Sequence, residues 1–114
     1  MTCNPDFFGT WSVAYLDEPV FSGTMVVSNQ NGRIIVTGSI LKNGRPDGSY
    51  LSADAQCPND NDRQMSLSYT LASGDTGRLT LSLAQIDFGQ PIVNGIYTDS
   101  APGGDSGRIR LQRM

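Results

Sequence analysis

Four short segments of this 114-residue chain carry residue types that could do chemistry. Asp75-Thr76-Gly77 has the composition of the carboxylate tripeptide with which two subunits share a proton to hydrolyse a peptide. Gly104-Asp105-Ser106-Gly107 places a serine hydroxyl in the setting of an acyl-transfer nucleophile. Asp87-Phe88-Gly89 has the form that holds Mg²⁺ in phosphoryl transfer, and Asn59-Asp60-Asn61-Asp62 offers hard oxygen ligands for Ca²⁺.

Each falls short on its surroundings. No apolar pair precedes Asp75; Ser73-Gly74 does, and Arg78-Leu79 follow at once, which is the pattern of a hairpin turn. The chain contains no histidine, so Ser106 has no imidazole to take its proton, and Cys-His dyads and His-ligated metals are excluded with it. A chain this small holds no kinase fold around Asp87-Phe88-Gly89. The Asn59–Asp62 run lacks the glycine and distal glutamate of a Ca²⁺ loop. The expectation is a non-enzyme with no cofactor and no bound metal.

Charge is more telling than any motif. Eleven acidic against eight basic residues give a net charge of −3, the wrong sign for binding nucleic acid by counterion release. No apolar run approaches the ~20 residues of a membrane-spanning helix, so no membrane partner is expected. Two cysteines, Cys3 and Cys57, could form one disulfide enclosing about 55 residues, worth roughly 4 kcal/mol by chain entropy. A bridge of that kind implies an oxidising compartment, hence a secreted or periplasmic protein; a pair of buried thiols is the alternative.

The elements that must position these groups are strands. Leu79, Leu81 and Leu83 alternate with Arg78, Thr80 and Ser82, and Met65, Leu67, Tyr69 and Leu71 with Ser66, Ser68 and Thr70. Asn31-Gly32, Asn43-Gly44, Gly74–Gly77, Gly89-Gln90-Pro91 and Pro102–Gly107 punctuate such runs. Eight strands follow, near 9–16, 22–29, 33–41, 49–56, 64–72, 78–86, 92–98 and 107–113. Short connections favour a single domain built as an eight-stranded antiparallel up-and-down β-barrel, with a β-sandwich as the rival.

Strand parity in such a meander has consequences. Cys3 and Cys57 fall at one end, where a bridge would strap the N-terminal tail across the opening. Trp11, early in the first strand, comes beside Arg113, late in the last, and a guanidinium stacked on the indole would plug that floor. The loops of the other end carry Asp17, Glu18, Asp47, Asp75, Asp99 and Asp105 against only Lys42 and Arg45, so the open mouth should be acidic. A cationic group of a ligand, or a basic patch on a protein, would be drawn there.

Gly9-Thr10-Trp11 opening the first strand, with an arginine closing the last, resembles the calycin group of lipocalins, fatty-acid-binding proteins and avidins, whose barrel some bacterial protease inhibitors share. That resemblance implies a barrel whose cavity holds a small apolar molecule and whose loops can engage proteins.

Candidate inward residues are Trp11, Val13, Tyr15, Met25, Val27, Ile34, Val36, Ile40, Leu51, Met65, Leu67, Tyr69, Leu79, Leu81, Leu83, Ile92, Ile96, Ile109 and Leu111. If they leave a cavity, Tyr15, Tyr69 and Asn94 would supply polar contacts in a carrier of a small apolar ligand, with Asp17, Glu18, Asp99 and Asp105 at the rim. If they fill the barrel, it becomes a rigid scaffold that presents loops to a protein partner, as an inhibitor or recognition module, with the loop from Asp99 to Gly107 foremost. Outward-facing Arg108 and Arg110 suit either a solvated surface or acids of a neighbouring subunit in a homo-oligomer.

Overall fold

The structure is a computed structural model that describes residues 3–58, 60–84, 92–100 and 104–114, with the side chains of 51–54 left aside. A short 3-10 helix, Pro5–Phe7, leads into eight strands: β1 (Gly9–Tyr15), β2 (Phe21–Gln30), β3 (Arg33–Lys42), β4 (Arg45–Gln56), β5 (Gln64–Leu71), β6 (Thr76–Leu83), β7 (Ile92–Asp99) and β8 (Ser106–Arg113). Each pairs antiparallel with the next, and β8 returns to β1 to close the barrel. The sandwich alternative is excluded by that last ladder, in which Trp11 lies opposite Arg113. The segments Asp87-Phe88-Gly89 and Gly89-Gln90-Pro91, and Asn59, lie outside the described residues.

Two tight turns fix the register of the first half. Asn31-Gly32 and Asn43-Gly44 both have positive φ at each residue, 55° and 82° in the first, 52° and 78° in the second. That is the turn whose twist matches paired strands, and asparagine and glycine tolerate it best. The second turn is tighter than the composition of the next residues suggests, because β4 begins at Arg45 and carries Pro46-Asp47-Gly48 within the strand. Proline is accommodated there by a register shift between Ile40 and Leu41, where its missing N–H is least costly.

Inside, Trp11, Phe7, Met25, Ile40, Met65, Leu67, Leu79, Leu81, Ile109 and Leu111 are essentially inaccessible to solvent. Among the described residues, no charged or non-tyrosine polar residue is buried. Outward positions are mostly serine, threonine and arginine, such as Thr24, Arg78, Thr80, Ser82, Arg108 and Arg110. No helix of the described residues is long and apolar enough to cross a membrane.

The interior differs from expectation on two strands. In β7 the buried residues are Val93, Gly95 and Tyr97, while Ile96 is 57% exposed and Ile92 is only half-buried. The reason is space: Gly95 sits between Leu81 of β6 and Ile109 of β8, and a side chain there would lie 2.7 Å from one and 2.9 Å from the other. In β4 it is Tyr50 that is buried, and Leu51 lies among the side chains left aside. Ile34 is half-buried near the start of its strand.

One end of the barrel is sealed. Cys3 and Cys57 form a disulfide, with Cα atoms 5.4 Å apart, and the Asn4 N–H donates to the Asp62 carbonyl at 2.8 Å, so the N-terminal segment is strapped across the opening. The Asn4 side chain accepts from the Asp6 N–H, which caps the 3-10 turn and directs Phe7 inward. The Trp11 indole N–H donates to the Phe7 carbonyl at 2.9 Å. Arg113 lies over the indole, 4.4 Å from the ring centroid, and its guanidinium donates to the carbonyls of Phe8 (2.7 Å) and Asp6 (2.8 Å). Gly9 completes the arrangement, because any Cβ at that position would overlap the Arg113 guanidinium.

Candidate functional site

The opposite end is built from tyrosine. All four tyrosines of the chain, Tyr15, Tyr50, Tyr69 and Tyr97, come from different strands and turn inward, with relative exposures of 4–8%. Rings of this size fit because glycine stands across from them. Tyr69 pairs with Gly77 and Tyr97 with Gly107, and each ring lies where the glycine's Cβ would be. Tyr50 reaches over Gly23 in the same way, its oxygen 2.6 Å from a Cβ placed there. Aromatic residues laid over glycine on a neighbouring strand pack a curved sheet without crowding it. Gly77 of Asp75-Thr76-Gly77 and Gly107 of Gly104-Asp105-Ser106-Gly107 therefore have a packing role, each the second residue of its strand.

Tyr15 joins the set by two kinds of contact. Its hydroxyl hydrogen-bonds that of Tyr50 at 2.7 Å, and its ring meets Tyr97 edge-on at 5.5 Å and Phe21 at 5.7 Å. The Tyr97 hydroxyl donates to the Glu18 carboxylate. Glu18 is placed by a turn in which its carbonyl accepts from the Phe21 N–H at 2.9 Å, with Pro19 supplying the fixed φ of the second position. Tyr69 is buried as deeply, yet its hydroxyl has no hydrogen-bond partner among the described residues.

Between these rings and the rim lies a cavity of about 90 Å³, lined by Tyr15, Glu18, Phe21, Ile40, Tyr69, Leu71, Tyr97, Asp99 and Asp105. Three of the nine lining residues are carboxylates and none is basic, so the mouth has the acidic character expected of it. The surroundings act on the phenols. Burial, then the charges of Asp99 and Glu18, push Tyr69 up to about 12. Burial pushes Tyr15 up to about 12 as well, against the Tyr50 hydrogen bond. Tyr50 and Tyr97 are raised further, each first by burial, then by Tyr15 and by Glu18 respectively.

The mouth brings together Tyr15, Tyr69, Glu18, Asp99 and Asp105, and not Asp17 or Asn94. Asp17 turns outward to Arg108, accepting from its Nη2 at 2.9 Å, its Nε at 3.2 Å and its backbone N–H at 2.8 Å. This fork holds the Asp17 carboxyl down at about 2. Asn94 is exposed on the outer face, 3.4 Å from Arg110 Nε, because it shares the parity of Ile96 and not of Tyr97. Sequence reasoning missed Tyr50 and Tyr97. The signal for Tyr97 was available in Gly107, the small residue that pairs with it. Lys42 stands outside the cavity, its ammonium 5.7 Å from the Phe21 ring. Compared with known proteins, the chain matches no family model, no curated protein and no solved structure.

Proposed function

We propose that the protein is a non-catalytic recognition module, a filled barrel that engages a protein partner through its open, acidic end. The observation that carries this reading is the size of the cavity. Pockets that enclose drug-sized ligands run to roughly 300–1,000 Å³, whereas the space at the mouth is about 90 Å³. That volume suits the end of one side chain and is too small for a fatty acid or a retinoid. The sealed floor leaves the mouth and its four loops as the surface where sequence can vary without disturbing the core.

The filled barrel closed by Trp11 and Arg113 keeps a calycin-like relationship as part of the proposal, with the loop-binding habit of that group in place of the carrier habit. The Cys3–Cys57 disulfide supports placing the protein in an oxidising, secreted or periplasmic setting.

Native mass spectrometry on freshly purified protein, combined with crosslinked capture from the native environment, tests the reading. The expected result is a chain free of co-purified small molecules that retains a protein, with retention lost in E18Q/D99N/D105N at low salt. A stoichiometric apolar molecule travelling with the barrel would overturn it in favour of a carrier.

A further inference from the structure

We infer that the tyrosine-lined mouth is a receptor for one primary ammonium group, such as the end of a lysine side chain on the partner. This deepens the recognition reading and rests on it for the source of the ammonium, though not for the chemistry of the site.

Three observations converge. Two walls of the cavity are aromatic, since Tyr15 and Tyr97, in edge-to-face contact at 5.5 Å, both line it. Ring faces attract cations, and the attraction grows when water is excluded. The charged residues among those that line the cavity are all acidic, Glu18, Asp99 and Asp105, with the Lys42 ammonium outside it on the Phe21 ring. The third is the Tyr69 hydroxyl, on a side chain only 6% exposed, which lines the cavity without a hydrogen-bond partner among the described residues. The other three phenols have partners: Tyr15 and Tyr50 bond each other, and Tyr97 bonds Glu18.

The Tyr69 oxygen is not sealed away, since no buried side-chain nitrogen or oxygen of the described residues lacks a partner; it opens into the cavity, where it can accept from a donor. A primary ammonium has three donors and no acceptor. One would meet the Tyr69 oxygen, and the remaining two would meet rim carboxylates, while the attached methylenes lie against Leu71, Ile40 and Phe21. The branched, planar guanidinium of arginine is a worse fit to so small a space. A neutral alcohol would fill the volume without answering the charge.

The test titrates n-butylammonium chloride into isotopically labelled protein, following the tyrosine ring signals, with n-butanol as the neutral control and Tyr69→Phe as the variant. The hydroxyl removed in Y69F has no partner among the described residues, so the melting temperature should be unchanged or slightly raised. The expected result is saturable shifts at Tyr15, Tyr69 and Tyr97 in the millimolar range, with n-butanol and E18Q/D105N each weaker by roughly tenfold and Y69F by several-fold. Equal affinity for n-butanol, unchanged binding by Y69F, or shifts scattered away from the mouth would each overturn the inference. Saturable ammonium binding in a chain that captures no protein would sink the recognition reading and leave this site standing. A captured partner whose retention is indifferent to Y69F and to E18Q/D105N would sink this site and leave the recognition reading standing.

Discussion

Replacing Arg113 by alanine removes three interactions at once: the stack on Trp11 at 4.4 Å and the two donations to the carbonyls of Phe8 and Asp6. A half-buried cation over an indole is worth about 1 kcal/mol, and each charge-assisted hydrogen bond at such a site about 1 kcal/mol more. R113A should therefore cost about 3 kcal/mol. With an unfolding entropy of about 2.1 cal/mol/K per residue, the melting temperature of a 114-residue chain should fall by roughly 12 °C. Gly9→Ala makes the sharper test. Its methyl would displace the guanidinium and also sit at φ 139°, so G9A alone should cost about 4 kcal/mol, the displaced interactions plus about 1 for backbone strain. In the R113A background the displacement has already been lost, so the double variant should cost about 4 kcal/mol and not 7, a coupling of about 3. Urea unfolding followed by fluorescence suits the measurement, because Trp11 is the single tryptophan and lies in the floor. Additive effects, or R113A within about 0.5 kcal/mol of the parent, would refute the account of the floor.

Removing the disulfide with C3A/C57A should lower stability by roughly 4 kcal/mol through the freed unfolded chain, read by the same unfolding curve. The tyrosines set an alkaline limit. Their ionisation in the folded barrel is pushed above the ordinary 10, to about 12 for Tyr15 and Tyr69, so the folded state holds its phenolic protons more tightly than the unfolded one. The stability they contribute is complete below pH 10 and is lost as the pH climbs from 10 towards 12 and beyond. Ultraviolet titration should then show tyrosinate appearing with loss of near-ultraviolet circular dichroism, and phenols that ionise near pH 10 in a barrel with native dichroism would contradict this. Gly107→Ala puts a methyl 2.7 Å from the Tyr97 oxygen and should cost about 1–3 kcal/mol, visible as a lower melting temperature and a changed tyrosine dichroism band.

The barrel, its closure and its sealed floor were legible because they rest on parity, which a period-two pattern states outright. Placing Cys3 beside Cys57 and Trp11 beside Arg113 required only counting strands. The mouth was harder to read. In β7 both phases are apolar, Ile92 and Ile96 on one and Val93 and Tyr97 on the other, so hydropathy alone favours the isoleucines. What decides the phase is the space offered by neighbours, with Gly107 under Tyr97 and Leu81 and Ile109 closing on Gly95. Asn94 moves outside as a direct result. Tyr50 was obscured by the Pro46-Asp47-Gly48 stretch, which has turn composition yet lies in β4. Asp17 was legible as a mouth-loop residue, but its engagement by Arg108 depends on a side-chain fork that no pattern in the chain announces.

The pairing of β1 with β8 has a practical corollary. The entry segment and the last strand leave the barrel side by side, at the end fastened by Cys3, Cys57 and Arg113. A tether or fused domain joined at either terminus would issue from the sealed face and hold the tyrosine-rich rim pointing away from it. Immobilised by such a tether, every copy would display the same face outward, and tandem copies on a flexible connector could grip a multivalent target with no change to the core.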